Sequence, residues 1–159
     1  MGDIRISTAL HASADLAQEV TGLVQQLSTT AAPLTVDALA ELIASDSATL
    51  LIASSDTCVV GMLTLITYRI PTGIRARIED VVVNESARGK GVAFELTRAA
   101  VDLARNVGAR TVDLTSRPSR ESANRLYQRA GFSPRDSLTY RRTLDGYASP
   151  MQTGQAISY

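Results

Sequence analysis

The residues best suited to binding chemistry lie in a short cationic loop, Arg88 to Gly91, which reads Arg-Gly-Lys-Gly. An apolar, β-branched run that ends at Val83 precedes the loop, and an apolar stripe at helical spacing follows it from Val92. A loop at the start of a helix directs backbone N–H groups and the positive end of the helix dipole at an anion. Glycine allows the backbone to approach that anion closely, and the arginine and lysine add full positive charge. The segment therefore predicts a site for a phosphate-bearing ligand.

The spacing of this loop excludes two familiar phosphate-binding motifs. A Walker A loop requires G-x-x-x-x-G-K-[ST], whereas Lys90 lies between the two glycines and no Ser or Thr follows it. The dinucleotide fingerprint G-x-G-x-x-G is incomplete, because Phe94 stands where the third glycine is required. What remains is the pattern R-x-x-G-x-A, carried by Arg88, Gly91 and Ala93. Taken alone, this pattern also fits a charged loop that caps an ordinary amphipathic helix.

The second half of the chain carries another motif. Residues 111–115 form a β-branched run that predicts a short strand between Gly108 and Pro118. Residues 122–132 then predict a short helix that ends at a glycine C-cap, Gly131. This segment matches the pattern A-N-x-L-Y-x-x-x-G-F, which places Asn124 and Tyr127 one helical turn apart on the same face.

Together the two motifs resemble the signatures of the GCN5-related N-acetyltransferase (GNAT) family. The first is similar to the coenzyme A pyrophosphate loop of that family and the second to its later signature, in the same order along the chain. The resemblance covers about residues 48–143. It implies a GNAT fold of the mixed α/β (α+β) class, with a mostly antiparallel mixed central sheet, helices on both faces and a splayed strand pair that holds the pantetheine arm. It also implies acetyl-CoA as the cosubstrate.

The rest of the pattern follows the element order of this family. Helices are predicted after the N-caps Ser13 and Thr35 and again between Gly91 and Gly108. Strands are predicted at 4–10, 49–53, 58–68, 74–83, 111–115 and 138–144. We expect residues 1–145 to form a single acetyltransferase domain, and residues 146–159 to form a C-terminal tail that is mobile or bound to the surface.

The resemblance assigns the cofactor site residue by residue. The strand before the glycine loop is expected to carry a bulge and to pair with the pantetheine arm through backbone groups of Val81 and Val83. A backbone N–H near Val81 is expected to donate to the thioester oxygen. The full set of expected cofactor-binding residues is Val81, Val82, Val83, Arg88, Gly89, Lys90, Gly91, Val92, Ala93, Asn124 and Tyr127.

The second signature supplies the candidate general acid. Tyr127 occupies the tyrosine of that signature, and its phenol, with an ordinary pKa of about 10, can remain protonated at neutral pH and donate to the departing thiolate. Simple packing of Tyr127 beside Phe132 is the structural alternative. Asn124 is expected to bond to the pantetheine arm, with a helix cap after Ser122 as its alternative role.

The candidate general base is Glu79. Glu79 and Asp80 are adjacent on a predicted strand, so their side chains point to opposite faces, and in a strand without a bulge Glu79 shares its direction with Val81. Similar enzymes often use a carboxylate at this place through a water molecule. A salt bridge between Glu79 and Arg77 is the alternative, and Asp80 or a chain of waters also remains open as the base.

Composition narrows the classes of partner. The chain has 159 residues, with 16 basic and 16 acidic side chains, so no general affinity for nucleic acid is expected. The single cysteine, Cys58, excludes an internal disulfide and fits a reducing compartment, and its apolar neighbours predict a buried side chain. One cysteine and one histidine cannot form the usual kind of metal site, so no metal is expected. With no signal peptide and no membrane-length apolar run in this sequence, we expect a cytoplasmic protein without a membrane partner.

The predicted function is transfer of an acetyl group from acetyl-CoA to a primary amine, on a small molecule or a protein, by direct attack in a ternary complex. Two alternatives remain open: a non-catalytic coenzyme A-binding regulatory module, and an acyltransferase that uses a longer acyl-CoA. The expected acceptor region shows no cluster of carboxylates of the kind that would mark a polycationic acceptor. The sequence also leaves a homodimer open.

Overall fold

The computed structural model describes residues 3–56, 58–142 and 144. Within these residues the chain forms five strands, four α-helices and one short 3-10 helix. The elements follow in the order β1 Ile4–Thr8, α1 Ala14–Leu27, α2 Val36–Ala44, β2 Ala48–Ser55, β3 Cys58–Ile70, β4 Gly73–Val83, the 3-10 helix Glu85–Ala87, α3 Val92–Asn106, β5 Val112–Asp113 and α4 Glu121–Arg129.

The five strands form one sheet in the order β1-β2-β3-β4-β5. The first three neighbouring pairs are antiparallel, and only β4 and β5 run parallel. Strands β2 and β3 form a hairpin, since Ser55 pairs directly with Cys58. The mixed, mostly antiparallel sheet predicted from the resemblance is therefore confirmed.

Two apolar cores lie on opposite faces of this sheet, because successive side chains of a strand alternate in direction. On β2, Leu51 contributes to one core and its neighbour Leu50 to the other. The first core packs against α3, and the second packs against α1 and α2. Helices therefore cover both faces, and α3 is the helix whose start carries the glycine loop.

The helix boundaries follow local chemistry that the sequence predicts well. The side-chain oxygens of Ser13 and Thr35 accept hydrogen bonds from Leu16 N and Ala38 N, both at 3.1 Å, and so cap α1 and α2. At the C-terminal end of α3, Gly108 adopts a left-handed φ of 77°. The next backbone N–H, that of Ala109, donates to Ala104 O at 2.9 Å, which closes a Schellman motif.

Gly61 on β3 allows α3 to lie close to the sheet. A Cβ atom at this position would meet Val92 Cγ1 and Val82 O at 3.2 Å and Leu96 Cδ1 at 3.3 Å. Those distances are shorter than ordinary van der Waals contact, so any larger residue would push the first turn of α3 outward. The absence of a side chain at Gly61 therefore sets the height of the glycine loop above the sheet.

Several predicted boundaries differ from the structure. Strand β5 spans only two residues instead of 111–115, because its pairing with β4 ends at Arg77 and Asp113. The predicted strand at 138–144 is wrong for the residues the structure describes: residues 138–142 and 144 join no strand, and Leu138 and Tyr140 are 79% and 87% exposed. Cys58 is exposed rather than buried, because it opens β3 at the hairpin end. The predicted tail 146–159 lies outside the described residues.

Candidate active site

A gap between the two parallel strands is the centre of the candidate site. Pairing between β4 and β5 is limited to Ala76 with Val112 and Arg77 with Asp113. Beyond that point the strands separate, so the edge of β4 from Ile78 to Val83 has no β5 partner. Unpaired N–H and C=O groups at a strand edge can pair with an extended ligand as an added strand would. The gap thus has the geometry of the predicted splayed pair.

A β-bulge interrupts β4 at the edge of this gap. Val82 pairs with Met62 and Glu79 pairs with Thr64, so β4 contains one residue more than β3 over the same interval. Asp80 lies within the bulge and has φ of 50°, a left-handed conformation that is uncommon for a non-glycine residue. The extra residue places Val81 on the α3 face. Glu79 remains on the face of α1 and α2, so it does not share its direction with Val81 as it would in a regular strand.

The glycine loop presents backbone rather than side chains to the space in front of α3. Gly89 and Gly91 have left-handed φ values of 75° and 81°, and Gly91 is the N-cap of α3 without any side-chain cap. A Cβ atom at either glycine would find nothing within 4 Å. The first N–H groups of a helix have no intrahelical acceptor, so this open space faces several donors and the positive end of the α3 dipole.

The two cations of the loop are held against backbone carbonyl groups of the segment that precedes the loop. Arg88 Nε donates to Val83 O at 3.2 Å, and Lys90 Nζ donates to Ser86 O at 2.6 Å. The ion pair of Arg88 with Glu85, at 3.6 Å, is largely exposed and contributes little to stability. Both positive charges are therefore kept beside the mouth of the site. The Val83 carbonyl, an expected contact for the pantetheine arm, is already an acceptor for Arg88.

Two of the expected cofactor-binding residues can contribute only through their backbone. The side chains of Val82 and Val92 are buried, at 7% and 2% exposure, in the two opposite cores. Ala93 O accepts from the fully buried Thr97 hydroxyl at 2.7 Å, which anchors the first turn of α3.

The guanidinium of Arg129 lies over the ring of Phe94 at 5.8 Å and joins α3 to α4.

Helix α4 carries Tyr127 in a buried position. The Tyr127 ring packs edge-to-face against Phe132, with centroids 6.1 Å apart. Phe132 N donates to Tyr127 O and Gly131 N to Gln128 O, both at 3.0 Å, which is a Schellman motif and confirms the predicted glycine C-cap. Burial raises the pKa of the Tyr127 phenol, and the charge of Arg120 opposes that rise. The phenol therefore keeps its proton at neutral pH, and its hydroxyl group makes no hydrogen bond with the described residues.

Asn124 lies one turn before Tyr127 and holds the preceding loop. Its Nδ2 donates to Arg117 O at 3.0 Å, with a longer contact to Pro118 O at 3.4 Å. Its backbone N–H donates to Arg120 O at 2.9 Å, inside the first turn of α4. Asn124 thus fixes the chain that leads from β5 into α4, which neither of its predicted roles anticipated.

The two carboxylates beside the gap differ in their surroundings. Arg77 Nε donates to the Glu79 carboxylate, and Arg77 Nη2 donates to the Thr115 hydroxyl at 2.7 Å. The predicted alternative of a salt bridge between Glu79 and Arg77 is therefore present. The Asp80 side chain has no hydrogen-bond or ion-pair partner among the described residues. Burial raises the pKa of the Asp80 carboxyl group, and the charge of Glu79 adds to that rise, although part of the residue is exposed to solvent.

Two features near the site have no clear signal in the sequence. The hydroxyl oxygen of Ser116, three residues after β5, is buried and has no hydrogen-bond partner in the described part of the chain. The link from Arg77 to Thr115 joins residues 38 apart in sequence, so only the register of β4 against β5 reveals it. Pairing of the two strands predicted at 74–83 and 111–115 was the one signal that could have suggested it.

A separate cavity lies on the face of α1, away from Tyr127 and Glu79. Its volume is about 580 Å³. The lining residues are Asp15, Gln18, Glu19, Gly22, Leu23, Gln26, Val59 and Asn84. Only Asn84 belongs to the approach to the glycine loop, where its side chain caps the 3-10 helix by accepting from Ser86 N at 3.0 Å. The cavity is therefore distinct from the gap between β4 and β5.

Two kinds of feature were not found in the part of the chain that the structure describes. No group of three or more His, Cys, Asp or Glu side chains there could hold a metal ion. None of the helices formed by residues 3–56, 58–142 and 144 has the length and apolar character needed to cross a membrane.

Comparison with known proteins agrees with this geometry. Residues 18–132 match the model of the acetyltransferase (GNAT) family. N-alpha-acetyltransferase 30 of Schizosaccharomyces pombe is 35% identical over 75 residues, 47% of this chain and 49% of the relative. The matched segment thus spans about half the length of that curated relative.

Solved structures show the same fold. A putative acetyltransferase from Agrobacterium tumefaciens has a TM-score of 0.75 at 22% identity, covering 89% of this chain and 99% of that chain. An aminoglycoside N-acetyltransferase, AAC(6')-Iy, solved in complex with CoA, has a TM-score of 0.73 at 21% identity, covering 90% of this chain and 96% of that chain.

The chain belongs to the GNAT acetyltransferase family, because the family match covers most of its length. The resemblance, the fold class and the acyltransferase class predicted from the two motifs are therefore confirmed. Family members of this kind use acetyl-CoA, and the residues present fit it. Gly91 leaves space where a Cβ would stand. Among the residues that the structure describes, the edge of β4 beyond Arg77 has no strand partner on the β5 side, and the buried Ser116 hydroxyl has no hydrogen-bond partner.

Proposed function

We propose that this enzyme transfers an acetyl group from acetyl-CoA to a primary amine by direct attack in a ternary complex. The observation that carries the proposal is the unpaired, bulged edge of β4, which leads directly into the glycine loop at the start of α3. An extended pantetheine arm could pair with that edge while its pyrophosphate meets the N–H groups of α3. The buried, protonated phenol of Tyr127 supports a catalytic role on the next helix.

The proposed cofactor contacts divide between backbone and side chains. Val81, Val82 and Val83 would contribute backbone groups to the pantetheine arm. Arg88, Gly89, Lys90, Gly91, Val92 and Ala93 would surround the pyrophosphate. Asn124 would contribute the side-chain oxygen that its loop contacts leave unused, and Tyr127 would approach the thioester sulfur.

The proposed reaction needs three groups. The Glu79 carboxylate accepts a proton from the acceptor ammonium, directly or through a water, so that the neutral amine can attack the carbonyl carbon. The N–H of Val81 donates to the carbonyl oxygen as negative charge develops there. As the new C–N bond replaces the C–S bond, the nitrogen releases its second proton to water, and Tyr127 gives its proton to the departing thiolate.

We also propose which class of amine is the preferred acceptor. The curated relative from Schizosaccharomyces pombe is named an N-alpha-acetyltransferase and is 35% identical to this chain over 75 residues. We therefore place the α-amine of a peptide or protein first among the acceptors, ahead of lysine side chains and small amines.

We also propose a cytoplasmic location, consistent with the single cysteine. A homodimer remains a prediction that light scattering would test.

A panel of acceptors would test the proposed function. Thiol release from acetyl-CoA is measured with short peptides bearing a free α-amine, with N-acetylated peptides containing lysine and with small amines, and products are identified by mass spectrometry. We expect at least one peptide α-amine to accelerate thiol release above the hydrolytic background. Acceleration only with a longer acyl-CoA would favour the alternative acyltransferase. Confirmed acetyl-CoA binding with no acceleration by any amine would favour a coenzyme A-binding regulatory module.

A further inference from the structure

Arg77 lies at the point where the two parallel strands separate. It is the last residue of β4 that pairs with β5, through Asp113. Two residues beyond this pair lie Glu79, on β4, and Thr115, past the end of β5, where the two chain segments no longer pair. Arg77 therefore lies at the closed end of the gap, with Glu79 on one side of the opening and Thr115 on the other.

The guanidinium of Arg77 joins both sides. Its Nε donates to the Glu79 carboxylate, and its Nη2 donates to the Thr115 hydroxyl at 2.7 Å. All three side chains lie on the same face of the sheet, because Ile78, Val112 and Leu114 point to the α3 core and their neighbours point away from it. That face is the one from which an acceptor would approach Glu79.

This arrangement restricts Glu79 more than a surface ion pair normally would. A guanidinium is planar and its donors are fixed in direction, so two simultaneous contacts define where the carboxylate can lie. The Glu79 side chain is 46% exposed and would otherwise sample several rotamers. Fixing a group within reach of the proton that it must accept is a recognised source of rate enhancement.

We propose that Arg77 is a positioning residue, whose guanidinium holds the Glu79 carboxylate on the acceptor side and ties it to Thr115 across the gap. This inference rests on the proposed function, in which Glu79 is the general base. It adds one requirement to the proposed function: the contact of Arg77 with Thr115, across the gap, holds the base in place. Arg77 touches neither the acetyl group nor the acceptor in this proposal.

Kinetics of single and double variants would test it, with a short peptide bearing a free α-amine as the acceptor. We expect Arg77→Met to lower kcat about 10- to 100-fold, because a small displacement of a catalytic group is costly. The Kd for acetyl-CoA, measured by calorimetry, should stay within about threefold, because the cofactor contacts are unchanged. Arg77→Lys keeps the charge but can satisfy only one of the two contacts, so its kcat should fall between that of the wild-type enzyme and that of Arg77→Met.

The double variant Arg77→Met/Glu79→Gln separates positioning from other effects. If Arg77 acts through Glu79, Arg77→Met should cause no further loss of kcat when Glu79 is already replaced. Thr115→Val should cause a smaller, several-fold loss in wild-type protein and none in Glu79→Gln. Arg105→Met is the matched control, since it removes an Arg–carboxylate pair on α3, at 2.5 Å from Asp102, and should leave kcat unchanged.

The outcomes distinguish this inference from the proposed function. Equal losses from Arg77→Met in wild type and in Glu79→Gln would overturn the positioning role while leaving Glu79 as the base. A large rise in the acetyl-CoA Kd would also overturn it, because Arg77 would then support cofactor binding. Normal turnover in Glu79→Gln would remove the base assignment and the positioning role together, while acetyl transfer itself would stand. Thermal unfolding of each variant shows that the comparison concerns folded protein.

Discussion

The glycine loop and helix α4 carry the two sets of proposed cofactor-binding residues, and they would contribute different parts of the chain. The loop contributes backbone: its two glycines adopt left-handed conformations, and the open space beside them is lined by N–H groups. Helix α4 contributes side chains, the amide of Asn124 and the phenol of Tyr127. A backbone site is damaged by any added side chain, whereas a side-chain site can lose one atom and keep its shape. The two regions should therefore respond to substitution in opposite ways.

Tyr127→Phe should show the largest effect and should affect chemistry alone. The variant keeps the ring that packs against Phe132 and loses only the hydroxyl group, whose proton is proposed for the thiolate. General acid catalysis is typically worth about 10²–10⁴-fold, so kcat should fall by that factor. Acetyl-CoA affinity, measured by calorimetry, should remain within a few-fold. Normal turnover in a folded Tyr127→Phe protein would make Tyr127 a packing residue.

Gly91→Val should show the converse pattern, with loss of binding. The φ of 81° at this position is strained for a β-branched residue, and the new methyl groups would fill the space in front of the α3 N–H groups. We expect the acetyl-CoA Kd to rise about 100-fold, equivalent to about 2.7 kcal/mol. Gly91→Ala is the matched variant and should lose less. Unchanged affinity in folded Gly91→Val would mean that the pyrophosphate lies elsewhere.

Lys90→Met should have a smaller effect that depends on ionic strength. The ammonium group lies beside the loop, on Ser86 O, and its charge is exposed. Removing it should raise the acetyl-CoA Kd several-fold at low salt, and the difference should shrink as salt is added because exposed charges are screened. A difference that does not change with salt would indicate a direct, buried contact instead.

Asp80→Asn should have the smallest effect and should concern stability. The Asp80 pKa is raised above its ordinary value of 3.8, so the folded protein binds this proton more tightly than the unfolded chain does. Wild-type stability must then fall as pH rises through the range from 3.8 to the raised pKa, and it stays lower above that range. Asn carries no charge and tolerates the left-handed φ of 50°. Urea unfolding should show a modest gain for Asp80→Asn at pH 7 that disappears at low pH.

Activity in the same variant sharpens the choice between the two carboxylates. If Glu79 is the base, Asp80→Asn should retain kcat while Glu79→Gln loses it. The reverse result would assign the base to Asp80 and would leave the stability prediction intact. Both variants remove one negative charge from neighbouring positions, so each serves as the other's electrostatic control.

The sequence predicted those features that depend on neighbours along the chain. The caps at Ser13, Thr35 and Gly131 follow from local hydrogen bonding, and the strand–loop–helix context of Gly91 follows from a pattern shift within ten residues. These features needed no knowledge of the tertiary structure.

Features that depend on distant pairing could not be predicted in the same way. The length of β5 depends on where β4 turns away, and the face of Glu79 depends on one extra residue in the β4 ladder. A bulge of one residue reverses the direction of the side chains beyond it, so alternation alone could not relate Glu79 to Val81. The exposure of Cys58 likewise depends on which part of β3 extends past the helices.

Gly61 shows how cofactor affinity could be adjusted without touching the cofactor site. A methyl group there would press on Val82 O and on the first residue of α3, each 3.2 Å from the new Cβ. The helix could relieve that contact by moving outward, and the end of the helix that is proposed to bind the pyrophosphate would move with it. Substitution of Gly61 would therefore change the height of the loop above the sheet, because the added side chain would press on the helix from within the core. A library of affinities could be built from this single buried position while every residue that faces the ligand stays unchanged.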